Sequence, residues 1–253
     1  MGMIIVPTGL VGGAATYATW DQVSESSFGE PVSFVVMSEG TGAGDDETGK
    51  GVLTGVNLVL TDVNNVPGVV AGYRQLTRAS SQYFTLTQTW ADEWFTGATW
   101  SVIQKWSDWT AVNLAHGLFS MENAGGTERI VTIGTDVNKL FAFVANAGAG
   151  GARLNATTTN TYPTSGAVYT FIGTVGTSTY AGFTQSGSGT AGQPTKWADF
   201  AANDRVSNAL AGGAFSAGDF DTYREVGTYE GAGHSCTAKF GWMIVSKKFL
   251  ITV

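Results

Sequence analysis

The chain has 253 residues, of which 43% are apolar and 13% charged, with 35 glycines, a size that admits one large β domain or two small ones. Thirteen Lys and Arg against 20 Asp and Glu leave a formal charge of −7, which argues against the phosphate backbone of nucleic acid as a partner. A single cysteine, Cys236, excludes an internal disulfide and is read as a small buried hydrophobe.

Residues 1–30 read as an apolar arm, with Ile4, Ile5, Val6, Leu10, Val11, Tyr17 and Trp20 separated by glycines and small residues. Such an arm can cover a sheet edge or dock on a neighbouring subunit. It lacks the positive leading charge of a signal peptide, and Pro7, Gly9, Gly12 and Gly13 break its apolar run, so no export is expected from it. No run reaches the about 18 apolar residues a membrane-spanning helix requires, and no membrane partner is expected.

Ser33-Phe34-Val35-Val36-Met37 reads as a strand, followed by a Gly-rich turn holding Asp45, Asp46 and Glu47. Calcium takes roughly six to eight oxygens, but three contiguous acids depart from the alternating pattern of a calcium loop. A solvated loop is the reading, and no metal or cofactor is assigned. Next come Leu60-Thr61, then Asp62-Val63-Asn64-Asn65 with turn chemistry, and the strand Ser80-Ser81-Gln82-Tyr83-Phe84-Thr85-Leu86-Thr87. Residues 90–95 are expected to be an irregular loop or a single helical turn.

From Thr99 to Trp106 the pattern alternates: Trp100, Val102, Gln104 and Trp106 share one face, and Ser101, Ile103 and Lys105 the other. Hairpin strands follow at 117–121, 129–133 and 139–144, then a polar loop at 146–160, and a further hairpin, 167–175 with 179–184, around Gly176. Residues 186–236 give no clear elements, and Lys239 to Ile251 closes the chain with an apolar strand. Many short strands, β-branched residues and glycine turns mark the class as all-β.

The apolar strand with its acid and glycines, the Leu-Thr-Asp…Asn-Asn turn and the Ser-Gln-Tyr-Phe strand resemble the N-terminal half of laminin-G-like domains of the concanavalin A-like lectin/glucanase superfamily. The resemblance covers 31–253, although the Trp-His pair and Asp-Gly turn usual near its centre are absent. It implies an antiparallel jelly-roll sandwich in which the last strand pairs near the first, with residues 99–106 at its heart. The glucanases of that superfamily carry three acids at alternate positions of one strand, and no such run occurs here. Asp45-Asp46-Glu47 and Asp92-Glu93 are contiguous, so their neighbours point apart and hydrolysis is not expected. His116 and His234, the two histidines, fall in no catalytic pattern and are read as structural or surface residues.

The resemblance is to versions common in bacteriophage and environmental genomes. It implies a non-catalytic structural subunit of a virion, a capsid decoration or tail-associated protein. Such a subunit would be made in the host cytoplasm and partnered by other particle proteins or by copies of itself. The alternative is a carbohydrate-binding module for cell-surface glycans. For that, Trp94, Trp109 and Asn113, in expected loops, are the candidate contacts: rings stack on apolar sugar faces and an amide fixes hydroxyls. The same tryptophans could instead pack a core or an intersubunit contact.

Overall fold

A computed structural model describes residues 32–36, 45–46, 53–56, 74–108, 115–135, 140–146, 154–157, 159, 167–176, 178–185, 197–209 and 214–250. The arm residues, Asp62 to Asn65, Trp109 and Asn113 lie outside them. In chain order the strands are β1 (Val32–Val36), β2 (Asp45–Asp46), β3 (Leu53–Val56), β4 (Arg74–Leu76), β5 (Tyr83–Leu86), β6 (Trp100–Ser107), β7 (Ala115–Glu122) and β8 (Arg129–Thr135). There follow β9 (Leu140–Asn146), β10 (Leu154–Thr157), β11 (Ala167–Val175), β12 (Ser178–Gln185), β13 (Arg205–Ala209), β14 (Tyr223–Val226) and β15 (Ala238–Ser246). One α-helix, α1 (Gln88–Phe95), and short 3-10 turns complete the described elements.

Two antiparallel sheets result. The first, sheet A, is eight-stranded and runs β13-β12-β11-β6-β15-β1-β2, with β4 also on β15. The second, sheet B, is seven-stranded and runs β10-β9-β8-β7-β14-β5-β3. The first and last described strands pair directly, Val32 opposite Ser246 through Val36 opposite Trp242, as the resemblance implied. β6 lies in the middle of sheet A between β11 and β15, as the resemblance also implied.

That alternation divides the β6 side chains. Trp100, Val102 and Trp106 enter the core between the sheets with Phe84, Phe119, Phe141, Phe143 and Phe183. Ile103 points the other way, into a second cluster with Phe171, Trp242 and Ile244, and Lys105 shares its face opposite Tyr169 and Trp242. Each large side chain so buried contributes about 1.5–3 kcal/mol. The outer face of sheet A is apolar because the 3-10 turn at Trp197–Asp199, Phe200, Phe249 and Leu250 cover it. Gly182 is required there, since a Cβ would stand 2.8 Å from the Phe200 ring.

Four expectations are corrected. Residues 88–95 form two helical turns, because Thr87 caps the helix by accepting the Trp90 N–H at 3.2 Å and Trp90, Ala91, Trp94 and Phe95 fall on one buried face. The expected loop at 146–160 contains β10, paired to β9. The stretch without clear elements supplies β13 and β14, each completing a sheet. Asp45 and Asp46, expected in a loop, form a two-residue bridge to Val36 and Val35.

Candidate functional site

A group of charged side chains is buried on the outer face of sheet B. In β7, Met121 and Phe119 fill the core, so Ser120 and Glu122 face outward. β14 lies beside them with Tyr223 opposite Glu122 and Glu225 opposite Ser120, and Arg129 of β8 stands opposite Glu122 on the other side. Two glutamates, a serine and an arginine from three strands therefore meet on one face.

The segment after β14 folds back across them. Gly227 takes φ +91°, where a side chain would be strained and its Cβ would strike Leu76. The Gly227 N–H donates to Leu118 O at 2.8 Å, and the Cys236 N–H returns to Gly227 O at 2.9 Å, closing a loop with its ends together. This strap, 227–236, lies on the backbone of β7: a Cβ on Gly117 would be 2.0 Å from the Thr228 carbonyl carbon and 2.1 Å from Tyr229 N. Under it Glu122 is 1% exposed and Glu225 5%.

The electrostatics follow from that cover. Arg129 pairs with Glu122, Nε to Oε2 at 2.7 Å, and reaches Glu230 of the strap at 2.6 Å. Ser120 donates to the other Glu122 oxygen at 2.5 Å. Burial pulls the Arg129 pKa down, and its bonds to Glu122 and Glu230 more than reverse this. Glu225 has a weaker set of partners. Burial pushes its carboxyl up to about 7; the Gly231 N–H, donating at 3.2 Å, opposes this, the Glu122 and Glu230 charges add to it, and Arg224 offsets part. Burial first, and a neighbouring carboxylate second, also raise Tyr83 (beside Glu225) and Tyr229 (beside Glu230). The face thus holds Glu122 and Glu230 bonded to Arg129, beside Glu225, whose carboxyl is pushed up to about 7.

The far end of the strap is gripped by Arg78, which donates to Gly233 O at 2.8 Å, Ala115 O at 3.2 Å and Ser235 O at 3.4 Å, and lies 3.5 Å from His116 Nδ1. His234 stacks on Tyr229 at 4.2 Å between ring centroids. Both histidines thus sit in the structure that holds the strap. Cys236 is fully buried at its base. Among the described residues, no three His, Cys, Asp or Glu side chains are arranged to hold a metal ion.

Trp94, expected in a loop, is 7% exposed on α1 and belongs to the core between the sheets. The helix places it four residues after Trp90, on the same inward face, so its ring is no stacking platform. Trp109, Asn113 and the arm lie outside the described residues. The Glu122 and Glu225 pair was not anticipated. Its only trace in the sequence is the period-two pairing of Ser120 with Glu122 and Tyr223 with Glu225, which says nothing of the two strands being neighbours.

Two antiparallel sheets with the opening and closing strands paired define a concanavalin A-like jelly roll. No protein-family model matches the chain, and no curated protein matches its sequence. Among solved structures, a mutant Trypanosoma rangeli sialidase displaying trans-sialidase activity aligns with 86% of this chain and 31% of its own, at a TM-score of 0.55 and 10% identity. The binding domain of botulinum neurotoxin DC, in complex with SialylT, aligns with 87% of this chain and 48% of its own (TM-score 0.52, 9% identity). Domain 4 of a GH43 extracellular arabinanase from Geobacillus stearothermophilus, in complex with arabinotriose, aligns with 85% of this chain and 93% of its own (TM-score 0.50, 11% identity). At such identities the likeness is one of fold, and the chain spans about a third of the sialidase and half of the neurotoxin domain.

Proposed function

We propose that this chain is a non-catalytic, lectin-like module that binds glycans. The observation that carries the reading is the alignment with nearly the whole of an arabinanase domain solved with arabinotriose. The absence of catalysis is part of the proposal. It is supported by the state of the Glu122 and Glu225 pair on sheet B, which lies beneath the strap with Glu122 already committed to Arg129 and Ser120. The test is a glycan array probed with the full chain, spanning arabinans, sialylated glycans and bacterial surface polysaccharides. Saturable binding that weakens at least tenfold in Trp109→Ala or Asn113→Ala supports the reading. A blank array, or release of reducing sugar from a bound polysaccharide, overturns it.

A second reading places the module on a virion, as a laminin-G-like bacteriophage decoration or tail-associated subunit held by its neighbours. It is favoured by the Leu60-Thr61-Asp62 and Ser81-Gln82-Tyr83 motifs and by the apolar arm of residues 1–30. Deleting residues 1–25 should leave a folded, glycan-binding chain that no longer enters particles. Normal incorporation of the shortened chain would remove the arm from the account.

A further inference from the structure

The strap over sheet B is attached in two different ways. Its ends are fixed by backbone hydrogen bonds, Gly227 to Leu118 and Cys236 to Gly227, and by the Arg78 grip on Gly233 and Ser235. Its middle, Tyr229 to Gly231, meets the sheet through side-chain charges: Glu230 to Arg129 and the Gly231 N–H to Glu225. Glu230 is also one of three non-glycine residues at positive φ among the described residues, at +50°, so the closed loop holds it in a conformation it does not prefer. Gly117 lets the strap lie directly on β7, which is what excludes water from Glu122 and Glu225.

We propose that the middle of this strap is a latch on sheet B, closed when Glu225 is neutral and loosened when it is ionised. The groups facing Glu225 are Glu122 from β7, Tyr83 from β5, Arg224 from its own strand, and Glu230 with the Gly231 N–H from the strap, while Arg129 of β8 pairs with Glu122 and Glu230. With Glu225 neutral, Glu122 and Glu230 share Arg129. With it ionised, a third negative charge is buried beside Glu122 and Glu230, and Arg224 and the Gly231 N–H offset only part of that cost.

The sign follows from linkage. Closed, Glu225 titrates near 7; with the strap lifted it meets water and returns toward the ordinary 4.5. Opening therefore releases a proton between those values. The closed form has its full advantage below about pH 4.5, loses it as pH rises to about 7, and changes no further above that. One proton sets the limit at about tenfold in the opening equilibrium per pH unit inside the window. This latch does not rest on the glycan reading.

The experiment is amide hydrogen exchange of the intact chain from pH 5 to 8, corrected for the intrinsic pH dependence of exchange and read on peptides from 227–236. Protection of the strap should fall by up to about tenfold per pH unit to pH 7 and then level, while the β7 core peptide stays constant. In Glu225→Gln the strap should keep one level of protection at every pH. Flat protection in the unaltered chain, or the same fall in Glu225→Gln, overturns the latch. If Glu225→Gln does not fold, a carboxyl 13C titration of the unaltered chain decides: a glutamate inflecting with the loss of strap protection supports the latch, and a loss with no such inflection overturns it.

Discussion

Both sheets are covered on the side away from the central core, but by opposite means. Sheet A is closed by rings: Phe249 packs edge-on to Phe171 at 5.3 Å and to Tyr180 at 5.2 Å, and Trp197 and Phe200 lie beside them. Sheet B is closed by a loop whose middle is held by Arg129, Glu122, Glu225 and Glu230. Apolar contact is indifferent to pH and only mildly sensitive to salt, whereas the charged cover responds to both. A two-sheet sandwich can therefore keep one outer face permanently shut and leave the other conditional.

The comparison can be broken by substitution, beginning with the largest effect. Phe171→Ala should cost about 3–5 kcal/mol of unfolding free energy in urea, because a ring common to the β11 face and its cover is lost. That cost should be the same at pH 5 and pH 8. Arg129→Met should cost about 3 kcal/mol, since it leaves the Glu122 carboxylate buried without its cation, and adding Glu122→Gln should restore most of the loss. A double-mutant cycle with no coupling would show that charge does not hold this face. The unaltered chain should lose on the order of 2 kcal/mol of stability between about pH 4.5 and 7 through Glu225, a loss absent from Glu225→Gln. Smallest of all, Lys239→Ala should change stability by less than about 0.5 kcal/mol, because its 2.7 Å bridge to Asp108 is open to water.

How much of this was legible depended on the range of the signal. β6 could be read because its alternation persists for eight residues, and β15 because its apolar run is long and rich in β-branched and aromatic residues. The apolar residues on both faces of these strands also fit a sheet covered twice. Helix α1 was missed because two turns with Trp90, Ala91, Trp94 and Phe95 on one side are too short to establish a 3.6-residue period. β13 and β14 were hidden in glycine-rich chain, where pairing with β12 and β7 decides what local preference does not. The same applies to the polar face of sheet B: nothing near Glu122 in the sequence announces Glu225, and only the register of β7 and β14 joins them. Trp94 illustrates the converse, an aromatic whose sequence neighbours suggested a surface ring and whose helical position buried it.

The position of β15 has a consequence for synthesis. It is hydrogen-bonded on one side to β6 and on the other to β1 and β4, so the middle of sheet A is filled by the last described strand. While the chain emerges from a ribosome, β6 and β1 wait with open edges, each a template for pairing with another nascent copy. A chain cut before Ala238 should therefore be recovered as aggregate rather than as a smaller soluble sandwich, and supplying a peptide of residues 238–250 during refolding should rescue part of it.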